Sequence, residues 1–387
     1  MKRIYLDYHA STPVDPRVVE KVNEVMVLPG NPHSSHLDGS DALDIIDDAK
    51  EYLVDAFEVF EDELFFTSGA TESNNLAILG ALERFQSIDS KRNKVFVSYL
   101  EHKSVLEPIE RECERLGLQL VFVPVTKEGF FDVSFLEDRI DEKTLFVSLC
   151  GVNGEIGTVQ PLREVGNLCE KSGVVFHVDA TQAVYEFLKP ADLGIHLMSM
   201  SSHKIYGPMG VGLLYVDSSM SFDLKPLMFG GGQQLGIRSG TIPVHQVAGF
   251  VEALRIIYDD PSEKEALAER RDFMYKLLIE HMPAIKANGS LKKRHPGNLS
   301  IQFLGVDGRV LVNNVKNKLS ISTGSACSSG VIKPSSVLKA IGLSDDEANS
   351  TVRVSIGRFT RDENLVSAVA TLKMQYDALI DSSGLVL

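Results

Sequence analysis

Lys204 stands in the run Ser202-His203-Lys204, between the apolar stretch 195–200 and the glycine-rich stretch 206–212. A lysine placed where a buried strand gives way to a glycine turn is not an ordinary surface lysine. Some 25 residues upstream, Asp179 closes the apolar run 174–178 in the motif His177-Val178-Asp179-Ala180-Thr181-Gln182. A buried carboxylate is costly unless paired, and a protonated ring nitrogen is a suitable partner. A lysine at one strand end and an acid at the next is the arrangement that holds pyridoxal phosphate. Lys204 would form the Schiff base, Asp179 would keep the pyridine nitrogen protonated, and Gln182 would donate to the ring hydroxyl oxygen. His177, two residues back on the same strand, reads as a satisfied core histidine.

Other segments supply what such a cofactor needs. Phe65-Phe66-Thr67-Ser68-Gly69-Ala70-Thr71-Glu72 runs from strand through a glycine turn into a helix. Free amides and the dipole at a helix start make an anion site, which would seat the phosphate on Ala70 and Thr71. Alone, the segment reads equally well as a helix capped by Thr71 with Asn74 in its first turn; the lysine motif favours the phosphate reading. Ser201 and His203 flank the lysine turn and can donate to the same phosphate. The glycine-rich loop 230–241 carries Arg238 and Thr241, and the Thr241 hydroxyl could complete the cradle. His102, in Glu101-His102-Lys103 after a strand, can stack on a flat ring and move protons.

A second chemical signal is Ser322-Thr323-Gly324-Ser325-Ala326-Cys327-Ser328-Ser329-Gly330. A cysteine on a small-residue loop is accessible, and its thiolate can attack as a nucleophile. Arg353, on the following strand, can clamp a substrate carboxylate bidentately; the plain alternative is a structural ion pair, the role expected of Arg358. Cys113, Cys150 and Cys169 read as small buried apolar residues. The four cysteines have no metal-ligand spacing, so no metal site is expected.

These residues need a scaffold that presents strand ends together. Apolar β-branched runs at 63–66, 94–98, 119–123, 145–149, 174–179, 197–201 and 212–216 alternate with amphipathic runs at 72–85, 104–116, 133–140, 163–171 and 245–258. That alternation predicts an α/β fold with a mostly parallel sheet covered on both faces, which places ligands at the carboxyl ends of its strands. After 259 the pattern changes to a charged helix over 262–281, a strand at 298–303, a helix at 307–318, the cysteine loop, a strand at 351–356 and a final helix from 362. The expected division is a large unit, 15–258, and a smaller α/β domain, 1–14 with 259–387.

Composition excludes some functions. The 387 residues are 44% hydrophobic and 24% charged, ordinary for a globular protein, with net charge −14, which argues against direct nucleic-acid binding. No apolar stretch reaches membrane-spanning length and the N-terminus has no apolar signal core. Scattered cysteines in an acidic chain predict a cytoplasmic protein.

Taken together, the residues resemble the fold-type I pyridoxal-phosphate enzymes, and among them the cysteine desulfurases. The likeness runs from Tyr5-Leu6-Asp7-Tyr8-His9-Ala10-Ser11-Thr12-Pro13 to about Phe359, through Gly30-Asn31-Pro32, 67–75, Glu101-His102-Lys103, 177–182, 202–208, 238–243 and 322–328. It implies that Lys204 holds the cofactor, Asp179 and Gln182 contact its ring, and His102 stacks on it. It further implies that Ala70, Thr71, Ser201 and His203 bind phosphate, with Thr241 reaching the phosphate of the other subunit of a homodimer. Cys327 would take sulfur from L-cysteine, Arg353 and Asn31 would lie near the substrate carboxylate, and a sulfur-acceptor protein would receive the persulfide. The Gly-Ser-Ala-Cys loop resembles the branch that serves iron–sulfur assembly and transfer-RNA thiolation. A selenocysteine lyase or an aminotransferase of the same fold is the competing reading, and the cysteine loop disfavours the aminotransferase.

Two departures stand out. Asn153-Gly154-Glu155 replaces the family's Asn-Asn-Glu, so one polar contact to the cofactor ring oxygen is missing or comes from Asn153. The chain also ends soon after its last helix, where related enzymes carry an extension that helps dock a scaffold, so a dedicated acceptor in a DNA or RNA sulfur-modification pathway is a further reading.

Overall fold

The computed structural model describes residues 3–220, 223–324 and 334–383. Its twelve strands are β1 (Ile4–Tyr5), β2 (Leu64–Thr67), β3 (Lys94–Val97), β4 (Gln119–Phe122), β5 (Thr144–Cys150), β6 (Val175–Asp179), β7 (Leu197–Ser201), β8 (Gly212–Val216), β9 (Lys286–Ala287), β10 (Asn298–Gln302), β11 (Leu319–Ser320) and β12 (Thr351–Ser355). Seven form the main sheet in the order β2-β8-β7-β6-β5-β3-β4. Only β8 runs against the rest, paired antiparallel to both β2 and β7. The carboxyl ends of β2, β3, β5, β6 and β7 therefore share one edge, and the chemistry-bearing turns all leave from it.

Both faces of this sheet are covered, because successive side chains point to opposite sides. Phe66, Phe96, Phe176 and Leu213 join one buried cluster. Their neighbours Phe65, Val95, Val175 and Leu214 join another. The first face lies under α1 (Pro16–Met26), α2 (Leu37–Phe57), α6 (Leu162–Ser172) and α7 (Val244–Tyr258), and the second under α3 (Ala70–Ile88) and α4 (Lys103–Leu116). The short α5 (Val133–Glu137) lies between β4 and β5 in the chain.

Beyond α7 come α8 (Ser262–His281), α9 (Gly308–Val315), α10 (Ser336–Ala340), α11 (Asp345–Asn349) and α12 (Asp362–Ser383). Here β10 lies between β9 and β12, all antiparallel. β1 pairs parallel with β11, returning the N-terminus to this part of the chain. Leu365, Ala368, Val369, Leu372 and Tyr376 make the buried seam of α12, at the spacing of one helix face. Arg358 ties the parts together through Asp15 at 2.6 Å and Glu263 at 2.7 Å, the structural role expected of it.

Boundaries expected from sequence differ little from those observed: β7, β8 and α8 coincide, and α9 is shorter than 307–318. The capped residue of α3 is Gly69 rather than Thr71, because the strand must turn sharply at φ 146° before the helix begins. Two further helices, α1 and α2, precede the first strand of the main sheet, in addition to those expected from the sequence pattern. α2 buries Ala42, Ile46, Ala49, Leu53 and Phe57, a helical spacing that its many surface aspartates obscure.

Candidate active site

Lys204 follows β7 in a single 3₁₀ turn, Ser202–Lys204. Its Nζ donates to the main-chain oxygens of His9 at 2.7 Å and Ala10 at 3.0 Å. Burial, assisted by the positive charge of Arg353, lowers its pKa to about 8. Gln182 Nε2 donates to the same His9 oxygen at 3.0 Å. The segment from Asp7 to Ser11 thus lies across the lysine, and His203 Nδ1 meets Ser11 Oγ at 3.2 Å. Burial, with Lys204 beside it, lowers the pKa of His203 to about 4.

Asp179 ends β6, 6% exposed. Its Oδ1 accepts from the Thr181 amide at 3.0 Å and its Oδ2 from Asn74 Nδ2 at 2.9 Å. The same Asn74 nitrogen donates to Ser104 Oγ at 2.9 Å, and that hydroxyl is 2.8 Å from His102 Nδ1. His102 caps α4 by accepting the Ser104 amide at Nδ1, 3.1 Å away. Its pKa is lowered, first by desolvation and then by Lys204 and Lys103, with Asp179 opposing.

Gly212, at the start of β8, brings β2 and β7 together. A side chain there would stand 2.6 Å from the Gly69 Cα and from the Met200 oxygen, so only glycine allows this approach. Ser201 Oγ consequently lies beside the start of α3, 3.7 Å from where a Gly69 Cβ would be. The amides of Ala70 and Thr71 open that helix with no carbonyl one turn behind them.

Arg353 reaches the same region from β12. Its Nη2 donates to Asp7 Oδ1 at 2.9 Å and its Nη1 to the Gly154 oxygen at 3.1 Å, while its buried Nε has no partner among the described residues. The ion pair with Asp7 is present, so the plain alternative for Arg353 holds alongside its place near the site. Ser322 also donates to Asp7 Oδ1, at 3.1 Å, and its backbone pairs with that of Arg353. The stem that leads to Cys327 therefore starts beside Arg353; Cys327 itself lies outside the described residues.

Lys204, Gln182, His203 and Arg353 thus gather around 7–11, while Asp179 and His102 are joined through Asn74 and Ser104. Asn31 and Thr241 do not join them: both are exposed. Asn31 Oδ1 accepts the His33 amide at 3.0 Å in a local turn. Arg238, near Thr241, pairs with Glu72 at 2.7 Å. His177 is a satisfied core histidine, between Ser148 at 2.8 Å and Ser199 at 3.3 Å. Cys113, Cys150 and Cys169 are buried.

Three residues of this arrangement, His9, Asn74 and Ser104, carry no functional assignment from sequence. His9 is buried against His295, 3.1 Å between Nε2 and Nδ1, and burial holds its pKa well below the usual range. Asn74 and Ser104 had the weak signal of polar residues in the first turns of helices that begin at strand ends. Asn153, the alternative donor to the cofactor ring, is held by the backbone on both sides of its amide. Its Oδ1 accepts the amides of Glu155 and Ile156, both at 2.9 Å, and its Nδ2 donates to the Leu100 oxygen at 2.8 Å.

Residues 4–367 match the model of the aminotransferase class-V family. Cysteine desulfurase IscS of Vibrio campbellii is 41% identical over 392 residues, covering 99% of this chain and 95% of that one. The chain belongs to the class-V aminotransferase family, among the cysteine desulfurases. Enzymes of that family depend on pyridoxal phosphate. Among solved structures, a NifS-like protein superimposes with a TM-score of 0.89 at 28% identity, covering 97% of this chain and all of that one. A structure titled SspA in complex with cysteine superimposes at 0.81 with 32% identity, covering 92% and 100%. No helix of this desulfurase among the described residues is long and apolar enough to cross a membrane.

Proposed function

We propose that this cysteine desulfurase holds pyridoxal phosphate on Lys204, takes sulfur from L-cysteine onto Cys327 and passes it to an acceptor protein in the cytoplasm. The observation that carries the reading is the buried Lys204 amine facing the end of the main sheet, beside a strand-end carboxylate that has donors on both oxygens yet no ion pair among the described residues. The donor set fits the cofactor. Asp179 keeps lone pairs for a ring N–H, Gln182 lies within reach of the lysine, and the start of α3 with Ser201 is a cradle for an anion. When bound, the cofactor supplies an electron sink for the substrate's α-carbon.

The chain's own residues do the rest. Lys204, with a pKa lowered to about 8, would hold the cofactor through its amine and would accept the substrate's α-proton. Ser201, His203 and the amides of Ala70 and Thr71 would hold the phosphate, and His102 would lie against the ring. Arg353, held by Asp7, orients the substrate carboxylate. Cys327 thiolate attacks the substrate sulfur; the carbon–sulfur bond breaks, alanine leaves, and a persulfide stays on Cys327. A relative titled as a complex with cysteine supports the substrate.

A homodimer in which Thr241 reaches the partner's phosphate is part of the proposal. The loop around it exposes Phe229 (81%) and Leu235 (74%), and Gln234 and Leu235 take positive φ, so apolar surface and backbone strain are held at one place. In the same reading the chain divides into a large unit, 15–258, and a small one, 1–14 with 259–387, and the pairing of β1 with β11 supports this.

A single turnover with L-cysteine, followed by intact-mass measurement, tests the reaction. The expected result is added sulfur on the Cys327 peptide with alanine released, and Cys327→Ala that keeps the cofactor absorbance but releases no alanine. Full turnover by that variant would overturn the role of Cys327. A higher rate on selenocysteine than on cysteine would favour the lyase reading.

A further inference from the structure

The contacts between Asp179 and His102 have only one consistent set of directions. An ionised carboxylate accepts and cannot donate, so the Asn74 atom facing Asp179 is its NH₂ group. One of its protons goes to Asp179 Oδ2 at 2.9 Å and the other to Ser104 Oγ, also at 2.9 Å. With that hydroxyl oxygen accepting, its own proton turns to His102 Nδ1 at 2.8 Å. The Ser104 amide, which can only donate, also points to Nδ1, at 3.1 Å. Two donors aimed at one ring nitrogen require its lone pair, so the neutral ring carries its proton on Nε2.

We propose that Ser104 and Asn74 are positioning residues that run a directed hydrogen-bond chain from Asp179 to His102 and fix His102 as the neutral Nε2–H form. This rests on the reading that Asp179 and His102 contact the cofactor. A ring so held donates a hydrogen bond from Nε2 and takes no proton there. Proton abstraction then belongs to Lys204, and His102 serves as a donor to the ring or to the substrate sulfur. Protonating Nδ1 would set donor against donor, so the chain also resists charging of the ring. The charged groups facing His102 are Asp179 on β6, Lys204 after β7 and Lys103 on α4, with Glu101 adjacent in sequence. The same chain pins Asp179: with the Thr181 amide on Oδ1 and Asn74 on Oδ2 the carboxylate cannot rotate. Asn74 is fully buried.

The test uses holoenzyme labelled with ¹⁵N-histidine, with His102 identified by its loss in His102→Asn. In the wild type the Nε2 signal is expected at the protonated position and Nδ1 at the unprotonated one. In Ser104→Ala the His102 titration moves up by as much as about one unit, the size of one lost hydrogen bond. The acid limb of the pH–rate profile moves with it, and Ser104→Thr restores both. Asn74→Ala weakens cofactor retention about tenfold, read as the concentration that half-restores absorbance to apoprotein. If the buried Asn74 variant does not fold, Ser104→Ala, half-buried at a helix start, carries the test alone. A proton on Nδ1 in the wild type, or a Ser104→Ala enzyme with unmoved titration and profile, would overturn the proposal. Absence of alanine from wild-type enzyme would instead overturn the desulfurase reading, while the ring signals would still report the tautomer.

Discussion

Lys204 and Gln182 donate to the same atom, the main-chain oxygen of His9, at 2.7 and 3.0 Å. The N-terminal segment therefore supplies the acceptor that holds the amine in place, and buried surroundings keep that amine from its usual basicity. Its pKa of about 8 lies below the ordinary 10.5, with burial the first cause. An amine reacts through its neutral form, so apoprotein Lys204 should react where surface lysines do not. Labelling the apoprotein with an amine-directed reagent over a pH series, read by peptide mass, should give a midpoint near 8 for Lys204, and bound cofactor should protect it. A midpoint near 10.5 would contradict the buried setting. Lys204→Ala should lose the cofactor's visible absorbance and at least about 10²-fold in rate.

The Asn153–Gly154 corner gives a second expectation. Gly154 has no conformational need to be glycine: its φ lies outside the left-handed region, and a Cβ there would meet only Gln182, at 3.5 Å or more. Its useful group is the carbonyl, which receives Arg353, and any residue keeps that. Gly154→Asn should therefore fold with a stability within about 0.5 kcal/mol of wild type, and its side chain would point at Gln182. A shifted cofactor absorbance maximum with an unchanged melting temperature is the expected result. Asn153→Ala is expected to lose about 2–3 kcal/mol, because two amides and a buried carbonyl lose their partner.

What the sequence disclosed and what it hid divide along physical lines. Asp179 and Lys204 were legible because a polar residue closing an apolar strand has few explanations, and the strands that carry them are short and clean. The N-terminal segment was not legible as part of the site, because the Lys204–His9 contact spans 195 residues and no local pattern records it. Ser104 and Asn74 are 30 residues apart; each alone is an ordinary first-turn polar residue, and only the adjacency of α3 and α4 on one face makes them partners. α2 was hidden for a different reason: its buried positions are spaced as a helix, but glycine and alanine fill the first two and aspartates crowd between them, which weakens the apolar signal.

Glu101, adjacent to His102, yields a pH prediction whose sign can be worked through. The carboxyl is 4% exposed; Oε1 accepts the Cys150 amide at 2.9 Å and Ser98 Oγ at 3.4 Å, while Oε2 has no partner among the described residues. Burial raises its pKa to about 8, and the negative charge of Asp179 adds to the shift. The folded protein thus keeps this proton between about 4.5 and 8, where the unfolded chain has released it. Proton binding by the folded state stabilises it at low pH, and that contribution is lost as pH rises through the window. Glu101→Gln preserves the acceptor for the Cys150 amide and does not titrate. Relative to wild type, its stability should therefore improve from pH 5 to pH 8 by at most about 1.4 kcal/mol per unit, and hold constant above. Denaturant unfolding of both proteins at pH 5, 6.5 and 8 measures this. Curves that stay parallel across the series would mean that Glu101 is ionised in the folded protein, with a cation or solvent reaching Oε2.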